Sequence, residues 1–126
     1  MNKTEKQPSE VLSEFLNYID RCRYEYQNAH DAMKREDKRL QDLLHEMEFA
    51  EGENAKRRAG TKLQQSRRNR RRQKDDMMRL ELIVQFFEEP TAKSAVNKMR
   101  QLLGRQRKQE EYLNGERHYN KRIDRK

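Results

Sequence analysis

The chain has 126 residues, of which 41% are charged and 32% hydrophobic, and it carries a formal net charge of +8. That length admits one domain, and that polarity excludes a thick globular core. Either a disordered chain or long helices burying a narrow stripe would fit, and periodicity decides for helices.

Gly and Pro are scarce at four and two, Trp is absent, and good helix formers dominate, so sheet is not expected. A single cysteine, Cys22, excludes an internal disulfide and a cysteine-based zinc cluster. Met1 to Ser9 lack the apolar core of a signal peptide, and no stretch reaches the length of a transmembrane helix. A soluble, cytoplasmic protein with no membrane partner is expected. The run Arg67–Lys74 also fits the loose pattern of a nuclear import signal, one that short basic runs match often.

The first predicted helix covers about residues 9–51, opening at Pro8 with no further Gly or Pro before Gly52. Leu12, Phe15, Ile19, Cys22, Tyr26, Ala29, Met33, Glu36, Leu40, Leu43, Met47 and Ala50 alternate in steps of three and four. This is a heptad seam whose one charged member is Glu36. At about 1.5 Å per residue the helix is about 60 Å long and needs a partner. A second seam, Ala59, Leu63, Ser66, Arg70, Gln73, Met77, Leu80, Val84 and Phe87, belongs to a helix over about 54–88. It is out of phase with the first, and Glu51-Gly52-Glu53-Asn54 supplies a turn, with Gly60 a second candidate break. Pro90 stops this helix and Thr91 caps a third over 91–113, unless Gly104 ends it near 103. Its apolar face is Ala92, Ala95, Val96, Met99, Leu102 and Leu103. Residues 114–126 read as a basic tail.

The fold class expected is all-α: an antiparallel hairpin forming a coiled-coil arm, with the third helix completing a three-helix base in a single domain over 1–113. Folding about residue 52 brings Val11, Leu12, Phe15, Leu16 and Ile19 beside Leu80, Ile83, Val84, Phe86 and Phe87. It also sets Glu36 near Ser66 and Arg70, so a Glu36–Arg70 ion pair is expected to fix register. A homodimer, with the first helix pairing to a second copy, is the alternative.

Charge is concentrated. Ten cations and no acids fall between Lys56 and Lys74, whereas residues 1–55 sum to −5 and residues 75–126 to +3. Such a field attracts polyanions, and nucleic acid is the commonest. With Arg70 near the seam, Arg57, Arg67, Arg71 and Lys74 fall on one flank, Arg58, Lys62 and Arg72 on the other, and Arg68 points outward. These eight are the candidate nucleic-acid-binding residues, their guanidinium groups suited to bidentate phosphate contact. Gln64, Gln65 and Asn69 have the chemistry to reach base edges or 2′-hydroxyls. The competing reading is a solvated face neutralised by Glu36, Asp37, Asp42, Glu46, Glu48 and Glu51 of the first helix.

Ser66-Arg67-Arg68-Asn69-Arg70-Arg71-Arg72-Gln73-Lys74 resembles the DNA-contacting segment of basic-leucine-zipper proteins. After it, however, come Met77, Leu80, Val84 and Phe87 and then Pro90, so no long zipper follows and the family assignment fails. The wider layout resembles small helical proteins of Gram-positive phages and mobile elements, through Thr61-Lys62-Leu63, Ser66-Arg67, Arg70-Arg71, Leu102-Leu103-Gly104-Arg105-Gln106-Arg107-Lys108 and Glu116-Arg117-His118-Tyr119. Some of these act as anti-CRISPR inhibitors, and the resemblance implies an inhibitor or adaptor of that kind.

Catalysis is not expected. His30, His45 and His118 are scattered, and His45-Glu46-Met47-Glu48 lacks the second histidine of a zinc-protease motif. Cys22 lies on the seam as a small buried residue. Asp75-Asp76 follows the arginine run without other metal ligands, and no Gly-rich phosphate loop exists. Tyr18, Tyr24, Tyr26, Tyr112 and Tyr119 are core-edge residues before they are stacking residues. No cofactor and no metal are expected. The partner is nucleic acid, RNA slightly ahead of DNA because no groove-reading motif is visible, or else an acidic protein or nucleoprotein surface such as a CRISPR effector.

Overall fold

A computed structural model describes residues 5–116, and among these there are three helices and no strand: α1 (Pro8–Phe49), α2 (Glu53–Glu88) and α3 (Pro90–Asn114). The all-α expectation therefore holds, with ends displaced by one or two residues. The basic tail beyond Glu116, with His118 and Tyr119, lies outside the described residues. Two compact units are formed, one from residues up to Tyr18 together with those from Pro90 onward, the other from Ile19–Glu89. α1 runs through both.

The larger unit is the hairpin. Arg23 reaches Phe87, Asp37 reaches Arg70, and Glu46 reaches Lys62, so partners pair in reverse order and α1 and α2 are antiparallel. Between them Gly52 takes φ 82°, a left-handed conformation that a side chain resists, and its carbonyl accepts the Lys56 N–H at 3.1 Å to start α2. Gly60, the other candidate break, sits inside α2. Within this unit both seams face inward except at Met47, which is exposed where the hairpin nears its turn. Ile19, Cys22, Ala29 and Leu43 of α1 and Ala59 and Ser66 of α2 are buried. Tyr26, Met33, Glu36 and Leu40, with Leu63, Arg70, Gln73, Met77, Leu80, Val84 and Phe87, are half-buried between them. Arg23 closes the far end. Its Nη2 donates to the Phe87 carbonyl at 2.9 Å and its Nε lies 3.3 Å from Glu88, placing a cation at the negative end of the α2 dipole.

The expected Glu36–Arg70 pair is not made. Arg70 Nε donates to Asp37 instead, while Glu36 accepts from the buried Ser66 hydroxyl at 2.7 Å and lies 3.5 Å from Arg39. A charge at the seam edge extends outward to the flanking acid, and the shorter serine fills the space within.

In the smaller unit α3 runs antiparallel to the first turns of α1, since Glu110 meets Ser9 and Arg107 meets Ser13. One Glu110 oxygen accepts the Ser9 N–H at 2.9 Å and the other accepts the Ser9 hydroxyl, so a carboxylate from α3 satisfies a donor that α1 cannot pair at its own start. Gln106 donates to the same carboxylate at 2.9 Å. Three expectations are corrected here. Leu16, not Phe15, is buried in the opening turns of α1, because the residues that meet α3 are Ser9 and Ser13 and Leu16 lies one turn farther on that side. The inward line of α3 is Ala92, Val96 and Glu110, which are buried, with Met99, Leu103 and Gln106 half-buried, leaving Ala95 and Leu102 exposed. Pro90 itself, rather than Thr91 as a cap, opens α3, since a residue with no N–H loses nothing at a first helical position. Gly104 does not end the helix, which continues to Asn114.

A candidate polyanion-binding face on the second helix

All eight candidate residues, Arg57, Arg58, Lys62, Arg67, Arg68, Arg71, Arg72 and Lys74, are exposed on α2. The seam at Ala59, Leu63, Ser66, Arg70 and Gln73 fixes which way each points. In the heptad phase of Leu63 and Arg70, Arg68 lies opposite the seam, with Arg57 and Arg71 to one side of it and Arg58 and Arg72 to the other, and Lys62, Arg67 and Lys74 border the seam itself. Two grooves run along its edges. One gathers Arg67, Arg70, Arg71 and Lys74 over Asp37 and Leu40 of α1. The other gathers Lys62, Gln65, Ser66 and Asn69 with Arg39 and Leu43, and nearer the turn Arg58 joins Lys62 beside Glu46, Phe49 and Ala50.

The charge balance across the hairpin is one-sided. Lys62 pairs with Glu46 at 3.0 Å and Arg70 pairs with Asp37. Among the described residues the remaining eight cations of the block, Lys56, Arg57, Arg58, Arg67, Arg68, Arg71, Arg72 and Lys74, form no ion pair, although acidic α1 lies alongside. The reason is geometric. Glu36 is engaged by Ser66 and Arg39, Glu48 lies 4.0 Å from His45 of its own helix, and α1 acids reach only the edges of α2, not its outer face. Neutralisation by the first helix is therefore limited to two positions.

Arg39 is a candidate site residue that the charge run does not reveal. It comes from the acidic half of the chain, and only its position beside the seam, across from Lys62 and Asn69, places it in the groove. Asp76, by contrast, has an ordinary use: Arg79 Nη1 lies 3.3 Å from its carboxylate. Among the described residues, no three His, Cys, Asp or Glu side chains gather around a common point suited to a metal ion, and no helix is long and apolar enough to cross a membrane. What the arrangement can do is present a row of exposed cations that form no ion pair, most of them forked guanidinium donors, to a polyanion lying along it. No protein-family model, curated protein or solved structure matches the chain.

Proposed function

We propose that the hairpin binds nucleic acid through the outer face of α2, with RNA favoured over DNA, and that it acts by binding rather than by catalysis. The observation that carries this reading is the set of eight exposed, unpaired cations on a helix whose neighbour is acidic. A face that served only solubility would be of mixed sign. Here the guanidinium groups repel one another, and bound phosphates remove that repulsion while accepting paired N–H donors.

Titration of binding against salt tests the reading. With about five phosphates contacted, log K falls against log salt with a slope of about −4 on duplexes and somewhat less on single strands. Replacing Arg67, Arg68, Arg71 and Arg72 with Gln removes most of the binding and leaves helicity intact, since none of the four supports the seam. A protein partner retained after nuclease treatment, with weak binding to free nucleic acid, would assign the same face to an acidic protein surface and favour the inhibitor or adaptor reading. Unchanged binding of the quadruple variant would reduce the block to a solvated surface.

A further inference from the structure

Past Asp75 the outer face of α2 changes character. Met78, Leu82 and Phe86 are 54%, 78% and 56% exposed and follow one another at four-residue steps, so they form one stripe. In the heptad phase set by the buried seam, Met78 continues the line of Arg71, Leu82 that of Arg68 and Phe86 that of Arg72. Cations and apolar side chains follow one another along a single face within one compact unit, with Asp75 on the Arg68–Leu82 line between them and Arg79, paired with Asp76, on the Arg72–Phe86 line. Arg72 and Phe86 are about 21 Å apart along the axis at about 1.5 Å per residue. Phe86 meets Phe87 perpendicularly, with ring centres 5.1 Å apart at 89°. A perpendicular contact takes at most one face of a ring, so Phe86 keeps a face for another planar group.

A duplex laid along this face would offer phosphates to both segments, and phosphates gain nothing from Leu82 or Phe86. A single strand offers phosphates to the cations and unstacked bases to the apolar segment. Gln64 and Gln65 are exposed among the arginines and carry the amide donors and acceptors that suit a 2′-hydroxyl. We infer that the outer face of α2 is a track for single-stranded RNA, with the backbone on Arg68, Arg71 and Arg72 and bases on Leu82 and Phe86. This rests on the nucleic-acid reading above and narrows it.

Fluorescence anisotropy with one labelled sequence, offered as single-stranded RNA, duplex RNA and single-stranded DNA, tests the inference. Wild-type protein binds the single-stranded RNA tightest. The double variant Leu82→Ala/Phe86→Ala loses affinity for it on the order of tenfold, as stacking contacts do. Its duplex affinity and salt slope stay the same, because no phosphate contact has gone. Phe86→Tyr keeps the affinity, and Gln64→Ala/Gln65→Ala narrows the preference for RNA over DNA. Circular dichroism confirms that these exposed substitutions leave the helices formed. A preference for duplex, or a double variant that binds the single strand as wild type does, overturns the track while leaving polyanion binding in place. Equal affinity for the DNA strand overturns the assignment to RNA. Binding to none of the three takes down the nucleic-acid reading itself.

Discussion

The Ser66 hydroxyl donates to Glu36 at 2.7 Å from a position only 3% exposed. Glu36→Leu strands that buried hydroxyl and is expected to cost about 1–3 kcal/mol. Adding Ser66→Ala removes both polar partners, so the double variant should recover most of the loss. Urea denaturation of the two proteins decides it, and a double variant no more stable than the single one would show that the hydroxyl is not what Glu36 serves. Arg70 and Asp37 are 40% and 48% exposed, so their coupling in a double-mutant cycle should stay below about 1 kcal/mol, and Glu36 with Arg70 should show none. Glu110 offers a pH signature. Its carboxyl is held below the ordinary glutamate range, first by the Ser9 hydroxyl and then, against the opposing effect of burial, by Gln106, the Ser9 N–H and Arg107. A lowered folded-state pKa means that the stabilisation is complete above the unfolded value and is lost as pH falls through the folded one. Thermal melts should therefore be level near neutrality and decline in acid, with a shallower acid decline in Glu110→Gln; parallel curves for the two proteins would remove Glu110 as the cause.

Two glycines with opposite roles separate turn from helix. Gly52 stands at φ 82° and ψ 159° with nothing within 4 Å of an added Cβ, so Gly52→Ala meets backbone strain alone and should cost about 1–3 kcal/mol. Gly104 also has open space around it but lies inside α3, where Ala is the better helix former, so Gly104→Ala should stabilise by about 0.5–1 kcal/mol. Melting temperatures moving in the same direction would contradict this assignment. The same pair explains what the residues disclose beforehand. The spans of α1 and α2 are legible because their apolar residues keep a heptad step and Gly52 interrupts it. The course of α3 past Gly104 is not, because Gln106 and Glu110 read as solvated residues. Their burial depends on Ser9, 101 residues away from Glu110 in sequence.

At the scale of the molecule the charge field has a mechanical side. Eight unpaired cations crowd one helix of the hairpin, and their mutual repulsion opposes its formation. Raising salt screens them, since the Debye length falls from about 10 Å at 0.1 M to about 3 Å at 1 M. The hairpin's melting temperature should therefore rise with added salt, and the quadruple Gln variant should show a smaller rise; a fall with salt in the wild type would mean that its ion pairs outweigh its repulsions. The existence of this field is legible from the ten cations between Lys56 and Lys74. Which of them stay unpaired is not, because it depends on a pairing register in which Asp37 finds Arg70 and Glu46 finds Lys62. Arg39 enters the site by the same register, as a contribution of topology rather than of composition.

Cys22 is the chain's sole thiol and is 2% exposed. A thiol reagent can modify it only when the surrounding helices part, so the labelling rate relative to that of denatured chain is a clock for spontaneous opening. Any ligand that grips the closed form alone slows that clock by the factor 1 + [L]/Kd. A sulfur atom on α1 thus reports occupancy of arginines on α2 that it never touches, and an affinity can be read from reaction times without labelling the ligand.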